Sequence, residues 1–149
     1  MKFASYLAVL ASVMALGNVV RADGLENCGS EYDLLTVDSW YNTPPIRGSE
    51  ICISVKGTLK SAIGNGSILD LRFFSGSTRV FVAVKYLSPL ETGPQTFEIC
   101  VPVPPFSVGD PMGVNFRGLS QEDKIIFCLD GSLTVQSSVL AKTGLRVQG

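Results

Sequence analysis

Four cysteines are the residues of this chain whose number and spacing restrict their chemistry most. They are Cys28, Cys52, Cys100 and Cys128, and the intervals between them are far longer than those of zinc-binding patterns. An even number of cysteines in a secreted chain indicates disulfides, here two. Four cysteines allow three pairings, and their spacing alone leaves all three open.

The other reactive side chains give little indication of an enzyme. The chain contains no histidine, which excludes histidine-based triads, histidine general bases and histidine metal ligands. A glycosidase-like pair of carboxylates is the remaining enzymatic alternative. The acidic candidates lie at outward or loop positions without paired spacing: Asp33, Asp38, Asp70, Glu98, Asp123 and Asp130. We therefore expect no enzyme, no catalytic residue, no cofactor and no metal site.

The N-terminus has the pattern of a secretion signal. Lys2 precedes a mostly apolar run from Phe3 to Val20, and Val20-Arg21-Ala22 suits signal peptidase. We predict a signal peptide over residues 1–22, cleaved after Ala22. The alternative is a retained membrane anchor, for which the polar residues and glycine within the run make a poor span. No later apolar run approaches the roughly 20 residues of a membrane-spanning helix.

The mature chain is one domain long and slightly acidic. Removing 22 of the 149 residues leaves 127, with 10 basic residues against 13 acidic ones and a net charge of −3. No basic patch or stripe is present. We expect no nucleic-acid partner, and any membrane contact should be weak rather than held by charge.

The alternation of apolar and polar residues predicts the strands that position the cysteines and the charged side chains. After the Pro44-Pro45 turn, Ile51, Ile53 and Val55 share one face of a strand that we expect to end at Gly57. Six further strands are predicted: Tyr32–Trp40, Ile68–Phe74, Arg79–Leu87, Thr96–Val101, Met112–Phe116 and Lys124–Val135.

Three of these strands raise further expectations. In Ile68–Phe74 the charged residues Asp70 and Arg72 should point outward. Both faces of Arg79–Leu87 carry apolar residues, so its buried side is left open. Gly131 suggests a bulge or bend in the last strand.

About seven strands with Pro- and Gly-rich turns and no helix signal indicate an all-β, two-sheet sandwich. We place this domain at residues 23–136 and a C-terminal tail at 137–149. The loop between the second and third predicted strands contains Asn65-Gly66-Ser67, an acceptor for N-linked sugar that would lie on the surface. The alternatives are an unused acceptor or a simple glycine-rich turn.

Several motifs in this order carry a resemblance to a known family. They are a cysteine near the mature start, Leu34-Leu35-Thr36-Val37-Asp38, Pro44-Pro45-Ile46-Arg47-Gly48, Gly57-Thr58-Leu59, Phe97-x-x-Cys100 and Ile125-Ile126-Phe127-Cys128. Between Cys28 and about Val135 the chain resembles the MD-2-related lipid-recognition (ML) family. It is most similar to the fungal phosphatidylglycerol/phosphatidylinositol transfer branch, which is related to the lysosomal sterol carriers.

The resemblance implies an immunoglobulin-like sandwich whose sheets splay apart to hold lipid tails. It also implies a disulfide between Cys28 and Cys128. Family members commonly close a short loop before the strand that holds Cys100, and this chain has no cysteine there. Cys52 is left as the partner of Cys100, and by alternation both lie opposite the apolar face of their strands.

The inward-facing residues would line the lipid cavity, although the alternative for each of them is an ordinary solid core. The predicted cavity residues are Ile53, Val55, Leu69, Leu71, Phe73, Phe97, Ile99, Val101, Val114, Phe116, Phe127 and Leu133. We place the cavity mouth at the proline-rich segment, with the nearby Ser88–Gly93 loop; its residues are Pro102, Pro104, Pro105 and Phe106. Head-group phosphates could meet Lys85, Arg79 or Arg117, which otherwise are solvated surface charges.

The expected function is that of a secreted or vacuole/lysosome-lumen lipid carrier, acting as a monomer with transient membrane contact. The resemblance favours transfer of phospholipids such as phosphatidylglycerol and phosphatidylinositol between membranes. One alternative is sterol binding and transport by the same fold. A second alternative, from another class, is a secreted adhesion or signalling sandwich with a filled core.

Overall fold

The computed structural model describes residues 24–138, which form eight β-strands. The predicted signal peptide and all but the first two residues of the predicted tail lie outside the described residues. The strands are β1 (Leu25–Asn27), β2 (Leu35–Asn42), β3 (Glu50–Leu59), β4 (Ile68–Ser75), β5 (Thr78–Tyr86), β6 (Gly93–Pro102), β7 (Pro111–Leu119) and β8 (Ile125–Thr134).

The strands form two antiparallel sheets that pack face to face. The larger sheet has the order β1-β8-β7-β4-β5, and the smaller one has the order β2-β3-β6. This confirms the predicted two-sheet sandwich, with one strand more than expected. The additional strand, β1, pairs with β8. It is only three residues long, which is too short for an alternating pattern to be recognised in the sequence. Within residues 24–138, no helix is long and apolar enough to cross a membrane.

Strand β3 follows the predicted alternation but is longer than expected. Ile51, Ile53 and Val55 are all fully buried, which confirms the inward face. The predicted end at Gly57 is wrong, because β3 continues to Leu59. Gly57 is required inside the strand for a close approach: a Cβ atom there would collide with the backbone oxygen of Thr36 on β2.

Strands β4 and β5 settle two questions that alternation left open. On β4 the outward-pointing Asp70 is buried at 3% exposure, because Arg72 and Arg117 cover it. Alternation therefore placed Asp70 on the outer face correctly, although the two arginines cover it from solvent there. On β5, Phe81 and Ala83 face inward and are half-buried.

The irregularity expected at Gly131 lies elsewhere in β8. Gly131 pairs in regular register with Val114, and the register shift between β7 and β8 falls at Gly118 and Leu119. Gly131 instead allows a close approach to the chain at Gly24: its φ is 152°, and a Cβ atom there would meet the backbone oxygen of Gly24. The predicted bulge at Gly131 is therefore wrong.

Candidate functional site

The twelve predicted cavity residues come together in one buried cluster between the two sheets. The smaller sheet contributes residues from β3 and β6, and the larger sheet contributes residues from β4, β7 and β8. The most exposed member is Val101, at 6%. Alternation along the strands thus identified the inner faces of both sheets, and it is these faces that a lipid would have to contact.

Phenylalanine rings fill the middle of this cluster. Phe127 of β8 contacts Phe116 of β7 edge-on, with ring centres 5.0 Å apart. Phe97 of β6 approaches the same ring from the opposite sheet at 5.5 Å. At this level the sheets are therefore joined by the protein's own side chains, as the alternative of a solid core predicts.

The two sheets separate along one edge of the sandwich, where β5 faces β6. These strands end different sheets and are not paired with each other. A groove of about 410 Å³ runs between them. We call it the β5–β6 groove, and its lining residues are Ala83, Val84, Lys85, Glu98, Ile99, Cys100 and Val101.

The β5–β6 groove reaches the apolar interior through two residues. Ile99 and Val101 line the groove and also belong to the buried cluster. They are 5% and 6% exposed, whereas Ile53 on the neighbouring strand β3 is completely covered. The inner face of β6 is therefore the place where the core of the smaller sheet comes nearest to solvent.

Lys85 spans the β5–β6 groove. Its Nζ atom donates a hydrogen bond to the backbone oxygen of Glu98 over 3.1 Å, from the larger sheet to the smaller one. The contact is exposed to solvent, so water competes for both groups and the bond holds the edges together only weakly. An ammonium group thus lies at the rim of an apolar groove.

The chain is fastened at one end of the groove by backbone hydrogen bonds. Ile63 and Leu90 exchange two of them, each 3.0 Å long, and Leu87 donates another to the oxygen of Ser67 over 2.9 Å. These bonds hold the loop between β5 and β6 against the loop between β3 and β4. The predicted mouth loop Ser88–Gly93 lies at this fastened end.

The proline-rich segment predicted as the mouth follows β6. Pro104 and Phe106 are buried, and only Pro102 and Pro105 are exposed. The backbone nitrogen of Val103 donates to the oxygen of Ser49 over 2.9 Å, which anchors the segment to the smaller sheet. The ring of Phe106, which we placed at the mouth, packs into the core.

The three basic residues considered for head-group contact have different surroundings. Arg117 lies 3.1 Å from the carboxylate of Asp70, which Arg72 also approaches at 3.0 Å. Arg79 is an exposed residue near the start of β5. Lys85 is the one of the three that lines the groove.

Both expected disulfides are present. Cys28 and Cys128 join the chain after β1 to β8, with Cα atoms 5.0 Å apart. Cys52 and Cys100 are directly paired residues of β3 and β6, with Cα atoms 4.0 Å apart. The carboxylate of Glu50 lies near the second bridge, but sulfur atoms bound in a disulfide are not thiolate metal ligands.

The acceptor Asn65 lies in an exposed turn, as its loop position predicted. The Ser67 hydroxyl of the same motif is buried, 2.8 Å from the oxygen of Gly64 and 3.0 Å from the side-chain oxygen of Gln121. The folded turn thus presents the asparagine and hides the serine.

Sequence reasoning missed the residues that β5 contributes to the groove, namely Ala83 and Val84. A signal was present in the two apolar faces of Arg79–Leu87. A strand inside a sheet with one wet face alternates between apolar and polar residues. The edge strand β5 does not alternate in this way. Its inner face carries Phe81 and Ala83, and its exposed side chains include Val82 and Val84.

Comparisons with known proteins give likeness in structure only. No family model and no curated protein sequence matches the chain. A Niemann-Pick type C2 protein from the Japanese carpenter ant superposes with a TM-score of 0.57 and 16% identity, over 75% of this chain and 98% of that one. Chicken MD-1 complexed with lipid IVa gives 0.52 and 10%, over 74% and 87%.

A third solved structure, the C-terminal domain of wzt, gives a TM-score of 0.54 and 9% identity, over 76% of this chain and 79% of that one. At these identities the comparisons show a common fold, an all-β sandwich of the immunoglobulin-like type. The Niemann-Pick type C2 protein and chicken MD-1 agree with the sandwich fold that the sequence motifs implied.

Proposed function

We propose that the chain is a secreted lipid-binding protein that takes up a phospholipid through the β5–β6 groove and carries it between membranes. The observation that supports this best is the continuity between groove and core: Ile99 and Val101 line the opening and also belong to the buried cluster. An acyl chain that entered beside them would meet apolar side chains throughout.

The energetics of burial favour a carrier. Each methylene removed from water contributes about 0.8 kcal/mol, so a long acyl chain in the protein gains on the order of ten kcal/mol relative to water. Relative to a bilayer the same chain gains almost nothing, because it is already in hydrocarbon. A lipid can therefore pass between bilayer and protein at small net cost, which is what repeated transfer requires.

The edges of the groove can separate without breaking either sheet. β5 pairs only with β4, and β6 pairs only with β3. The contact of Lys85 with Glu98 must break, and the net cost of one exposed hydrogen bond is at most about 1 kcal/mol. Uptake beyond the groove would also displace the rings of Phe97 and Phe127. A bound chain would replace those ring contacts with its own, so we expect the sheets to splay on binding.

A phospholipid fits the polar rim better than a sterol does. The Lys85 ammonium can exchange the Glu98 carbonyl for a phosphate oxygen, and a hydrogen bond to a charged acceptor is the stronger of the two. A sterol offers a single hydroxyl group at this position. Chicken MD-1, a structural neighbour, is complexed with lipid IVa, and this supports a lipid ligand for the present chain.

A second candidate function has its own supporting observation. The contacts among Phe97, Phe116 and Phe127 fill the centre of the sandwich, as expected of a secreted adhesion or signalling domain with a filled core. That function predicts an interior that stays closed to lipid.

Native mass spectrometry of the protein secreted from eukaryotic cells separates the two functions. The lipid-carrier proposal predicts a protein species that carries a phospholipid, identified after extraction by its fragment masses. If a sterol is the only lipid extracted, the function is sterol transport rather than phospholipid transfer. A lipid-free protein that gains no thermal stability from added phospholipid or sterol would support the filled-core function and overturn the carrier proposal.

The compartment and the assembly are part of the same proposal. Two disulfides are typical of proteins that mature outside the cytosol, which supports secretion or the lumen of a vacuole- or lysosome-like compartment. We propose that the carrier acts as a glycosylated monomer, with the sugar at Asn65 and transient contacts with membranes.

A further inference from the structure

The outer face of β5 carries a row of exposed apolar side chains. All four members are exposed: Val80 is 48% exposed, Val82 42%, Val84 49% and Tyr86 79%. Val82, Val84 and Tyr86 share one face because they alternate along the strand, and Val80, at the register shift between β4 and β5, extends the row to roughly 20 Å. We call these four residues the β5 strip.

The middle of this sheet face is polar, which sets the valines of the β5 strip apart from their neighbours on β4. Val84 pairs with Asp70 and Val82 with Arg72 on the neighbouring strand β4. Beyond Asp70 the next residue across is Arg117 of β7, and these charged groups pair with one another. The apolar strip therefore lies along the outer edge of the sheet, beside a charged cluster in which two arginines share one aspartate.

The charge around the β5 strip differs from that of the chain. Residues 71–90 contain three basic side chains and no acidic one, although the whole chain has a net charge of −1. The three are Arg72, Arg79 and Lys85. The strip is thus the apolar centre of a locally positive edge, which matches a negatively charged surface rather than a neutral one.

The size of the strip argues against a second copy of the chain as its partner. The exposed parts of the four side chains amount to on the order of 350 Å², the size of the largest apolar patch on an ordinary monomer. A standard protein–protein interface buries about 800 Å² on each partner. A bilayer sets no such minimum area, because its contact requires only shallow insertion together with attraction to anionic head groups.

We propose that the β5 strip is the surface by which the protein contacts a bilayer that contains anionic phospholipid. The valines insert at the level of the head groups, and Tyr86 lies at the boundary with water, where an aromatic ring with a hydroxyl group is favoured. Arg79 and Arg72 approach the phosphates. Each basic residue near an anionic surface contributes about 1 kcal/mol at physiological salt.

This proposal rests on the proposed function and adds to it an orientation. Ala83 and Lys85 alternate with the strip residues on β5 and line the β5–β6 groove, and Val84 of the strip lines it as well. A membrane bound to the strip would therefore lie along the same edge at which the groove opens. A lipid could then cross from the bilayer to the groove over the width of one strand.

The test uses flotation of the full secreted protein with phosphatidylcholine vesicles, prepared with and without phosphatidylglycerol. The double variant Val80→Thr/Val82→Thr, at two strip residues that do not line the groove, keeps the branched side chains that suit a strand but removes two methyl groups from the contact. Ile125→Thr is the matched control, because Ile125 is 41% exposed on β8. We expect wild type and control to float with anionic vesicles, and the double variant to bind at least about tenfold more weakly.

A charge variant tests the second part of the contact. Arg79→Gln leaves the strip intact, and we expect it to weaken binding to anionic vesicles by about fivefold at physiological salt. Its binding to vesicles of phosphatidylcholine alone should stay unchanged. Unaltered melting temperatures for all three variants would show that each one folds.

Three outcomes overturn the proposal. The first is equal flotation of wild type and the double variant. The second is a wild-type dimer in sedimentation that the double variant abolishes, which would assign the strip to a second copy. The third is equal binding to vesicles with and without phosphatidylglycerol. Lipid that co-purifies with the double variant at the wild-type level shows that the groove still functions, so failure of the membrane surface and failure of the carrier function are distinguishable.

Discussion

The ammonium group of Lys85 reaches across the edge of the sandwich and donates a hydrogen bond to the backbone oxygen of Glu98 over 3.1 Å. The donor lies on the last strand of the larger sheet and the acceptor on an edge strand of the smaller sheet. This contact spans the rim of the β5–β6 groove. In the proposed carrier, the positive charge of Lys85 would meet the head group of the lipid.

Replacing Lys85 by Gln should reduce the preference for anionic lipids without harming the fold. The side chain is exposed, and substitution of an exposed residue usually changes the free energy of unfolding by no more than about 0.5 kcal/mol. We expect transfer of phosphatidylglycerol between vesicles to slow by roughly five- to tenfold. Transfer of phosphatidylcholine should change less, and equal slowing of both lipids would contradict a head-group role for this residue.

The burial of Asp70 predicts a substitution that acts on stability. Asp70→Asn removes the charge that pairs with Arg72 and Arg117. Both arginines are partly exposed, so the loss should be below the 3–5 kcal/mol of a fully buried pair, at about 2 kcal/mol. Urea unfolding would measure this difference. Asp130→Asn, at an exposed position of the same face, is the control, and equal stability of the two variants would show that the ion pairs contribute nothing.

This burial also marks a limit of sequence reasoning. Alternation placed Asp70 on the outer face correctly, but its cover comes from Arg117, 47 positions further along the chain. Pairing of β4 with β7 brings the two together, and no local pattern encodes that register. The burial of Phe106 could not be predicted for a related reason, because prolines interrupt the periodicity around it and its burial depends on where the loop folds back.

The parts that the sequence did predict share one physical cause. Ile53, Phe97 and Phe116 lie on strands with a regular period of two, and a strand with one buried face must keep that period. The inner faces of both sheets could therefore be identified residue by residue. β5 has apolar residues on both faces, so alternation could not show which face is buried. The groove beside β5 could therefore not be predicted from the sequence.

The two disulfides should contribute comparable amounts of stability. The bridges span 100 and 48 positions of the chain. In the chain-entropy account, loops of this size contribute about 4–5 kcal/mol each. We expect Cys28→Ser/Cys128→Ser and Cys52→Ser/Cys100→Ser each to lower the urea midpoint substantially. A midpoint equal to that of the wild type for either variant would mean that its bridge adds nothing.

Glycosylation at Asn65 has a direct readout. The exposed turn leaves the asparagine accessible, and the modifying enzyme acts on chains that enter the secretory pathway. We expect the protein from eukaryotic cells to lose mass on treatment with an N-glycosidase, and Asn65→Gln to have no such loss. The Asn65→Gln protein should keep its lipid, since Asn65 is not among the residues that line the groove. An unchanged wild-type mass would show that the acceptor is unused.

The central claim is that lipid enters between β5 and β6. Ala83→Trp would fill the β5–β6 groove with a bulky ring, whereas Thr36→Trp adds the same ring at an exposed position of β2. The most direct measurement is the rate at which each protein moves a fluorescent phospholipid from donor to acceptor vesicles. The account predicts transfer by the wild type and by Thr36→Trp, and at least about a tenfold loss for a folded Ala83→Trp protein. Equal rates for all three proteins, or no transfer by the wild type, would contradict it.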